Sequence, residues 1–315
     1  MIVTPPPIAS LPAGIPSPLW SVMIPTFNCT EYLRQTLESV LRQDPGPERM
    51  QIEVVDDCST KDDPEKVVAE VGAGRVQFFR KEKNDGATKN FNTCIERSHG
   101  RLIHILHGDD YVHPGFYERM EKAATLYPEL AIFFARCLII DSSGGIESLS
   151  ARVPHLEASI RMAGELHYTN WLLTPGVVVR RSFYEEAGGF LTDLVHVADW
   201  EMWTRAIVRW GGVFLNEVLA SYRFFPGNET GRLSRSGENL RDYLRLLPIF
   251  ENHAAFDPKR FRRMVAAKAW EQASRYRVMG DREARRANAR LWAELTPWPA
   301  MAAQYAKSFV RRLLP

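Results

Sequence analysis

Cysteine is scarce in this chain: four in 315 residues, Cys29, Cys58, Cys94 and Cys137, with no pair in CxxC spacing. That excludes a zinc ribbon and a disulfide-stapled secreted scaffold, and reduced thiols in a cytoplasmic protein are the expectation. Long apolar runs are lacking too. LAIFFARCLII is broken by Arg136 and is too short to cross a bilayer. The N-terminal MIVTPPPIASLPAGIPSP has no basic n-region and is interrupted by prolines, so no signal peptide is expected and residues 1–18 read as a flexible leader. No excess of one charge is present: 40 Lys and Arg against 38 Asp and Glu give a net charge of +2, and nucleic acid is not an expected partner. Walker, HExxH and GxSxG motifs are missing. The lone GxG, in VGAGRV, precedes a strand-like run instead of following one, which excludes a dinucleotide site.

What the chain does have is alternation. WSVMI, QIEVV, RVQFF and RLIHIL are short apolar runs separated by the helix-like TEYLRQTLESVLRQ, DPEKVVAEV and ATKNFNTCIERS. Thr30 is placed to cap the first helix. Such alternation predicts a parallel sheet with helical crossovers, and ligands bind such sheets beyond the carboxyl ends of the strands. The residues after the runs are polar or acidic: Pro25, Thr26, Phe27 and Asn28, then Asp56 and Asp57, then His107, Gly108, Asp109 and Asp110. Two adjacent carboxylates repel each other, so LHGDDYVHP predicts a positive partner. Further on, FYERMEKAATLY, RSFYEEAGGF and ADWEMWTRAIVRWGG read as helices, LAIFFARCLII, GVVV and VFLNEVLASYRFF as strands. Residues from about 237 are helical in pattern and rich in Arg and Ala, with a domain boundary near 226 at PGNETG.

Five stretches in the same order resemble glycosyltransferase family 2: SVMIPTFNCTEYLRQTLESVLRQ, IEVVDDCST, NDGATKNFNTCIERSHGRLIHILHGDDYVHP, TPGVVVRRSFYEEAGGF and ADWEMWTRA. The resemblance covers roughly residues 19–225. It implies a GT-A fold (α/β, Rossmann-like, a mostly parallel sheet flanked by helices) over 19–226, with a C-terminal α-helical region over 227–315. It implies an inverting enzyme that moves a sugar from a nucleoside diphosphate-sugar, most simply a UDP-sugar, to a hydroxyl of a glycan or lipid-linked acceptor in bacterial surface polysaccharide or glycolipid assembly. The cofactor it implies is Mn²⁺ or Mg²⁺. The alternative is a nucleotide-binding scaffold without catalysis.

Residue by residue, the resemblance assigns Pro25, Thr26, Phe27, Asn28, Asp56 and Asp57 to base and ribose. Asp57 is the partner of the base N–H, unless it only closes the turn before CST. Lys89 and Asn90 lie toward the nucleotide-sugar, or on a solvated helix face. The metal motif is HxD in place of DxD: Asp109 is the metal ligand, Asp110 its neighbour, Gly108 the variable position. His107 reaches ribose or metal, or fills space. Asp199 is the general base, with Ala198 where an acid is usual and Glu201 the second choice; a helix N-cap is the bland reading of Asp199. Trp200, Trp203 and Trp210 form a stripe read as core before sugar platform. Phe225 replaces a histidine of the family, and Arg223 is placed to approach phosphate or to lie on the surface. The basic AMAAQYAKSFVRRLLP is a candidate for peripheral membrane contact.

Overall fold

The computed structural model describes residues 4–151, 163–253 and 256–297. The chain divides into two compact units, Met1–Phe224 and Phe225–Pro315.

The first unit follows the alternation read from the sequence: β1 (Trp20–Thr26), α1 (Thr30–Leu41), β2 (Met50–Asp56), α2 (Pro64–Gly72), β3 (Gln77–Arg80), α3 (Ala87–Arg97) and β4 (Leu102–Ile105). After these come β5 (Tyr111–Val112), α4 (Phe116–Leu126), β6 (Ile132–Ile140), β7 (Ile146–Leu149), α5 (Ala163–Leu166), β8 (Val177–Arg180), α6 (Arg181–Ala187), α7 (Ala198–Trp210) and β9 (Gly212–Arg223). Among the described residues they form a nine-stranded sheet in the order β3-β2-β1-β4-β8-β6-β9-β5, with β7 on β6. β3, β2, β1 and β4 run parallel, whereas β8 is antiparallel to both β4 and β6. Every residue of β1 is buried, as a central strand covered on both faces requires. Leu33, Leu37 and Val40 of α1 pack on it through one helical face.

Order reverses at β1: β2 lies on one side and β4 on the other, with β2 and β3 between them in the chain. Such a switch point leaves a crevice at the carboxyl ends of the two strands. Thr26 ends β1, and the acidic turn follows β4 at the same edge, where the Gly108 N–H donates to Pro25 O at 3.1 Å.

Local readings change in places. Thr30 opens α1 instead of capping it; the cap position is Cys29, and the Thr30 N–H and hydroxyl both donate to Asp62 Oδ2 at 2.9 Å. β5 and β7 were not anticipated. The proline-rich stretch runs along α6: the Gly189 N–H donates to Pro6 O, Arg181 Nη2 donates to Ala9 O, and Ile8 is buried.

The second unit is helical: α8 (Glu229–Ser236), α9 (Glu238–Arg245), α10 (Leu247–Phe250), α11 (Pro258–Val278) and α12 (Arg282–Leu295). Helix begins earlier than residue 237, because Asn228 caps α8 by accepting from the Gly231 N–H. Asp257 and Asp281 cap α11 and α12 in the same way. AMAAQYAKSFVRRLLP lies outside the described residues.

Candidate functional site

The turn after β4 puts three donor groups together. One ligand atom each from His107, Asp109 and Asp110 lie within 4.8 Å of one another. His107 Nδ1 is 3.4 Å from Asp110 Oδ2, and its ring stacks on Phe91 with centroids 5.1 Å apart. Two buried atoms of this group, His107 Nε2 and Asp110 Oδ2, find no hydrogen-bond partner among the described residues. Buried polar atoms are nearly always bonded, so the pair marks a place built for something else.

The turn is held from three sides. Thr36 of α1 sets its Oγ1 3.0 Å from Gly108 O and 2.7 Å from Asp110 O. A Cβ on Gly108 would stand 3.0 Å from Cys29 Sγ and 3.1 Å from Thr26 Oγ1, so this position leaves little room for a side chain. Arg223, at the end of β9, is a buried clamp: its N–H donates to Asp110 Oδ1 at 2.7 Å and its Nε to Asp109 O at 3.0 Å. Its remaining nitrogens reach Asp141 O, Ser142 O and Gln35 Oε1. Arg223 is thus buried and not on the surface: its guanidinium is spent on backbone carbonyls and Gln35, its backbone N–H meets the Asp110 carboxylate, and its charge favours the ionised form of Asp109.

Asp199 lies within the electrostatic reach of His107. It sits in the first turn of α7, but the cap position is Val197, so the N-cap reading does not hold. Asn170 Nδ2 donates to Asp199 Oδ2 at 3.3 Å and the Trp200 N–H to Oδ1 at 2.6 Å. Burial raises its carboxyl to about 6 against the pull of these donors and of His107. Burial, with Asp110 alongside, raises Asp109 to about 7. In His107 burial acts downward, but the close Asp110 carboxylate, with the charges of Asp109 and Asp199, outweighs it and the net shift is upward.

Other residues singled out from the sequence are placed differently. Glu201 is buried and fully engaged with Arg205, at 2.9 and 3.0 Å, on the side of α7 where Arg205 also holds Ala187 O and Gly189 O. Trp200 is core, its Nε1 donating to Leu166 O, and Trp203 is buried edge-on to Phe190. Asp56 pairs with Arg80 at 2.8 Å and accepts from Ser59. Asp57 accepts from Lys81 Nζ at 2.7 Å, from the Asp85 N–H at 3.1 Å and from the Gly86 N–H at 2.8 Å. A carboxylate offers about four lone-pair sites, so Asp57 keeps one for a further donor. Asn28, at φ +51°, joins two strand ends: its N–H donates to Ser59 Oγ and its Oδ1 accepts from the Thr60 and Lys61 N–H groups. Phe27 and Lys89 are exposed, and Asn90 is buried with Nδ2 on Val55 O and Oδ1 unpartnered. Phe225 has no ligand atom to offer. Sequence reasoning missed Arg80, Lys81, Thr36 and Asn170.

A sequence model described as Glycosyl transferase family 2 matches residues 21–186. An uncharacterized protein of Mycobacterium tuberculosis is 30% identical over 244 residues, 73% of this chain and 75% of that one. TarS 1–349 of Staphylococcus aureus, solved with UDP-GlcNAc, superposes with a TM-score of 0.58 at 18% identity, over 79% of this chain and 70% of that one. In sequence, this chain aligns to only 19% of the length of TarS, a poly(ribitol-phosphate) β-N-acetylglucosaminyltransferase. The mannosyltransferase PcManGT of Pyrobaculum calidifontis, solved with GDP-Man and Mn²⁺, has a TM-score of 0.58 at 16% identity, over 98% of this chain and 83% of that one.

Proposed function

From the premise that this chain belongs to glycosyl transferase family 2, with a GT-A fold and the activity of a glycosyltransferase, we propose that it inverts the anomeric centre of a UDP-sugar while passing the sugar to a hydroxyl acceptor. The reading rests on the cluster of His107, Asp109 and Asp110 in the turn after β4, with Asp199 near enough for its charge to act on His107.

In this reading Asp199 takes the proton of the attacking acceptor hydroxyl. A carboxyl raised to about 6 is a stronger base than an ordinary one and is still mostly ionised at neutral pH. Asn170 and the Trp200 N–H hold its two oxygens, which fixes the direction from which it acts. Thr26, Asn28 and the remaining acceptor site of Asp57 receive ribose and base. The exposed Lys89 offers a point charge to the phosphates. Asp109, with Asp110 and His107, would hold a divalent cation; the two unpartnered buried atoms and the oxygen-rich donor set suit one. Such a cation supplies positive charge that offsets the diphosphate and eases its departure.

The staphylococcal relative acts on poly(ribitol phosphate) and other relatives are named for teichuronic acid and succinoglycan biosynthesis, which supports a surface-glycan acceptor for this chain. Four free cysteines support a reducing, cytoplasmic setting. No helix among the described residues is long and apolar enough to cross a membrane, and contact with a lipid-linked acceptor would then be peripheral. Calorimetric titration of UDP and GDP with and without Mn²⁺, followed by a hydrolysis screen of nucleotide-sugars, tests the proposal. UDP binding strengthened by Mn²⁺ and turnover of one donor are expected. Tight binding with no turnover of any donor would turn the reading to a scaffold.

A further inference from the structure

The HxD spelling of the metal motif has a consequence for which ion enters. Asp109 and Asp110 offer only oxygen, and His107 adds an imidazole nitrogen to the same cluster, with all three donor atoms within 4.8 Å. Three donor atoms this close together could share one cation. The ring is not held by unrelated bonds. Its Nε2 is buried with no partner, its Nδ1 faces Asp110 Oδ2 at 3.4 Å, and that oxygen is buried with no hydrogen bond of its own. Phe91 stacks on the ring and fixes its plane without occupying either nitrogen. Asp110 is 1% exposed and Arg223 grips its other oxygen, so the cluster has a rigid floor.

Oxygen donors suit Mg²⁺ and Mn²⁺ alike, whereas imidazole favours the first-row transition ions. We propose that His107 supplies a nitrogen ligand to the cation held by Asp109 and Asp110, and that this ligand makes the site select Mn²⁺, or a later first-row ion, over Mg²⁺. The inference rests on the cation site of the proposed function and adds to it a determinant of which ion is taken. A space-filling His107 would leave the Mn²⁺ to Mg²⁺ preference to the carboxylates alone.

The test uses the full chain with UDP and Mn²⁺, and pulsed electron paramagnetic resonance of the bound ion. Wild type is expected to show a ¹⁴N coupling from a directly bound imidazole. H107D, which restores a carboxylate, loses that coupling while still binding Mn²⁺, and its ratio of Mn²⁺ to Mg²⁺ affinity, read by competition, falls roughly tenfold or more. H107N serves as a second variant if H107D does not fold, and it too loses the coupling. Bound Mn²⁺ without nitrogen coupling in wild type, or a coupling that persists in both variants, overturns the inference and leaves the proposed transfer reaction standing. UDP bound with no Mn²⁺ signal at all overturns the inference together with the cation part of the proposed function.

Discussion

Asp199 and Asp109 differ from the other acidic candidates in what surrounds them. Asp56 and Glu201 are satisfied by arginines, whereas the charge of Asp199 is favoured by backbone N–H groups, the Asn170 amide and the charge of His107. Asp199→Asn is expected to lower turnover by ~100- to 10,000-fold while UDP affinity by calorimetry stays within about twofold. Because the base must be ionised, wild-type kcat/KM should rise with pH through about 6 and level off above it, and that limb should vanish in the variant. A pH–rate profile with saturating Mn²⁺ checks this; a flat profile from pH 5 to 8 would remove Asp199 from the role. Asp109 could be singled out because it follows a strand-like run and Asp199 because ADWEMWTRA resembles a segment of the family. The engagement of Asp56 was not. It depends on the parallel register of β2 on β3, which sets Asp56 beside Arg80, and no local pattern carries cross-strand register.

Among the elements, the first four strands and three helices could be read from periodicity because each is long enough to repeat it. β5 could not, since it has two residues and exists only because Ala220 and Ser221 of β9, paired with β6 on one side, meet Val112 and Tyr111 on the other. β7 was hidden for the opposite reason: all four of its residues are exposed, so no buried face imposes alternation. The junction before β4 is where an element-scale change should be most costly. A Cβ on Gly100 would fall 2.3 Å from both Trp20 C and Ser21 N, backbone atoms at the start of β1 that cannot swing aside. Gly100→Ala should therefore destabilise the protein by about 3 kcal/mol or more. The measurement is the denaturation midpoint in urea. Gly74→Ala, where a Cβ meets nothing within 4 Å but φ is +83°, should cost only about 1 kcal/mol.

At the scale of the whole molecule, the acidic site makes folding itself sensitive to pH. Asp109 and Asp199 hold protons up to about 7 and about 6 in the fold, while unfolded carboxyls release them near 3.9. Between those limits the folded state binds more protons than the unfolded state, so stability is greatest below about pH 4 as far as these groups are concerned and is lost as pH rises toward 7. The melting temperature of the metal-free protein should fall over that window by this contribution, and Asp109→Asn should flatten the slope relative to wild type. Mn²⁺ should reverse the trend, stabilising more at pH 8 than at pH 5, because ion and proton compete for the same oxygens. Differential scanning fluorimetry across pH with and without Mn²⁺ reads all three. The GT-A architecture was legible at this scale through the order of five weak motifs. The division into two units after Phe224 lies close to the PGNETG stretch where the sequence reading sets its boundary.

Asp110 faces two ways. One oxygen grips the Arg223 amide and the other looks into the cluster with no hydrogen bond of its own. Electron density withdrawn from one side of a carboxylate weakens what the other side holds, so that amide proton doubles as a gauge. Its chemical shift and exchange rate register the filling of the cluster with no donor, acceptor or turnover in the tube.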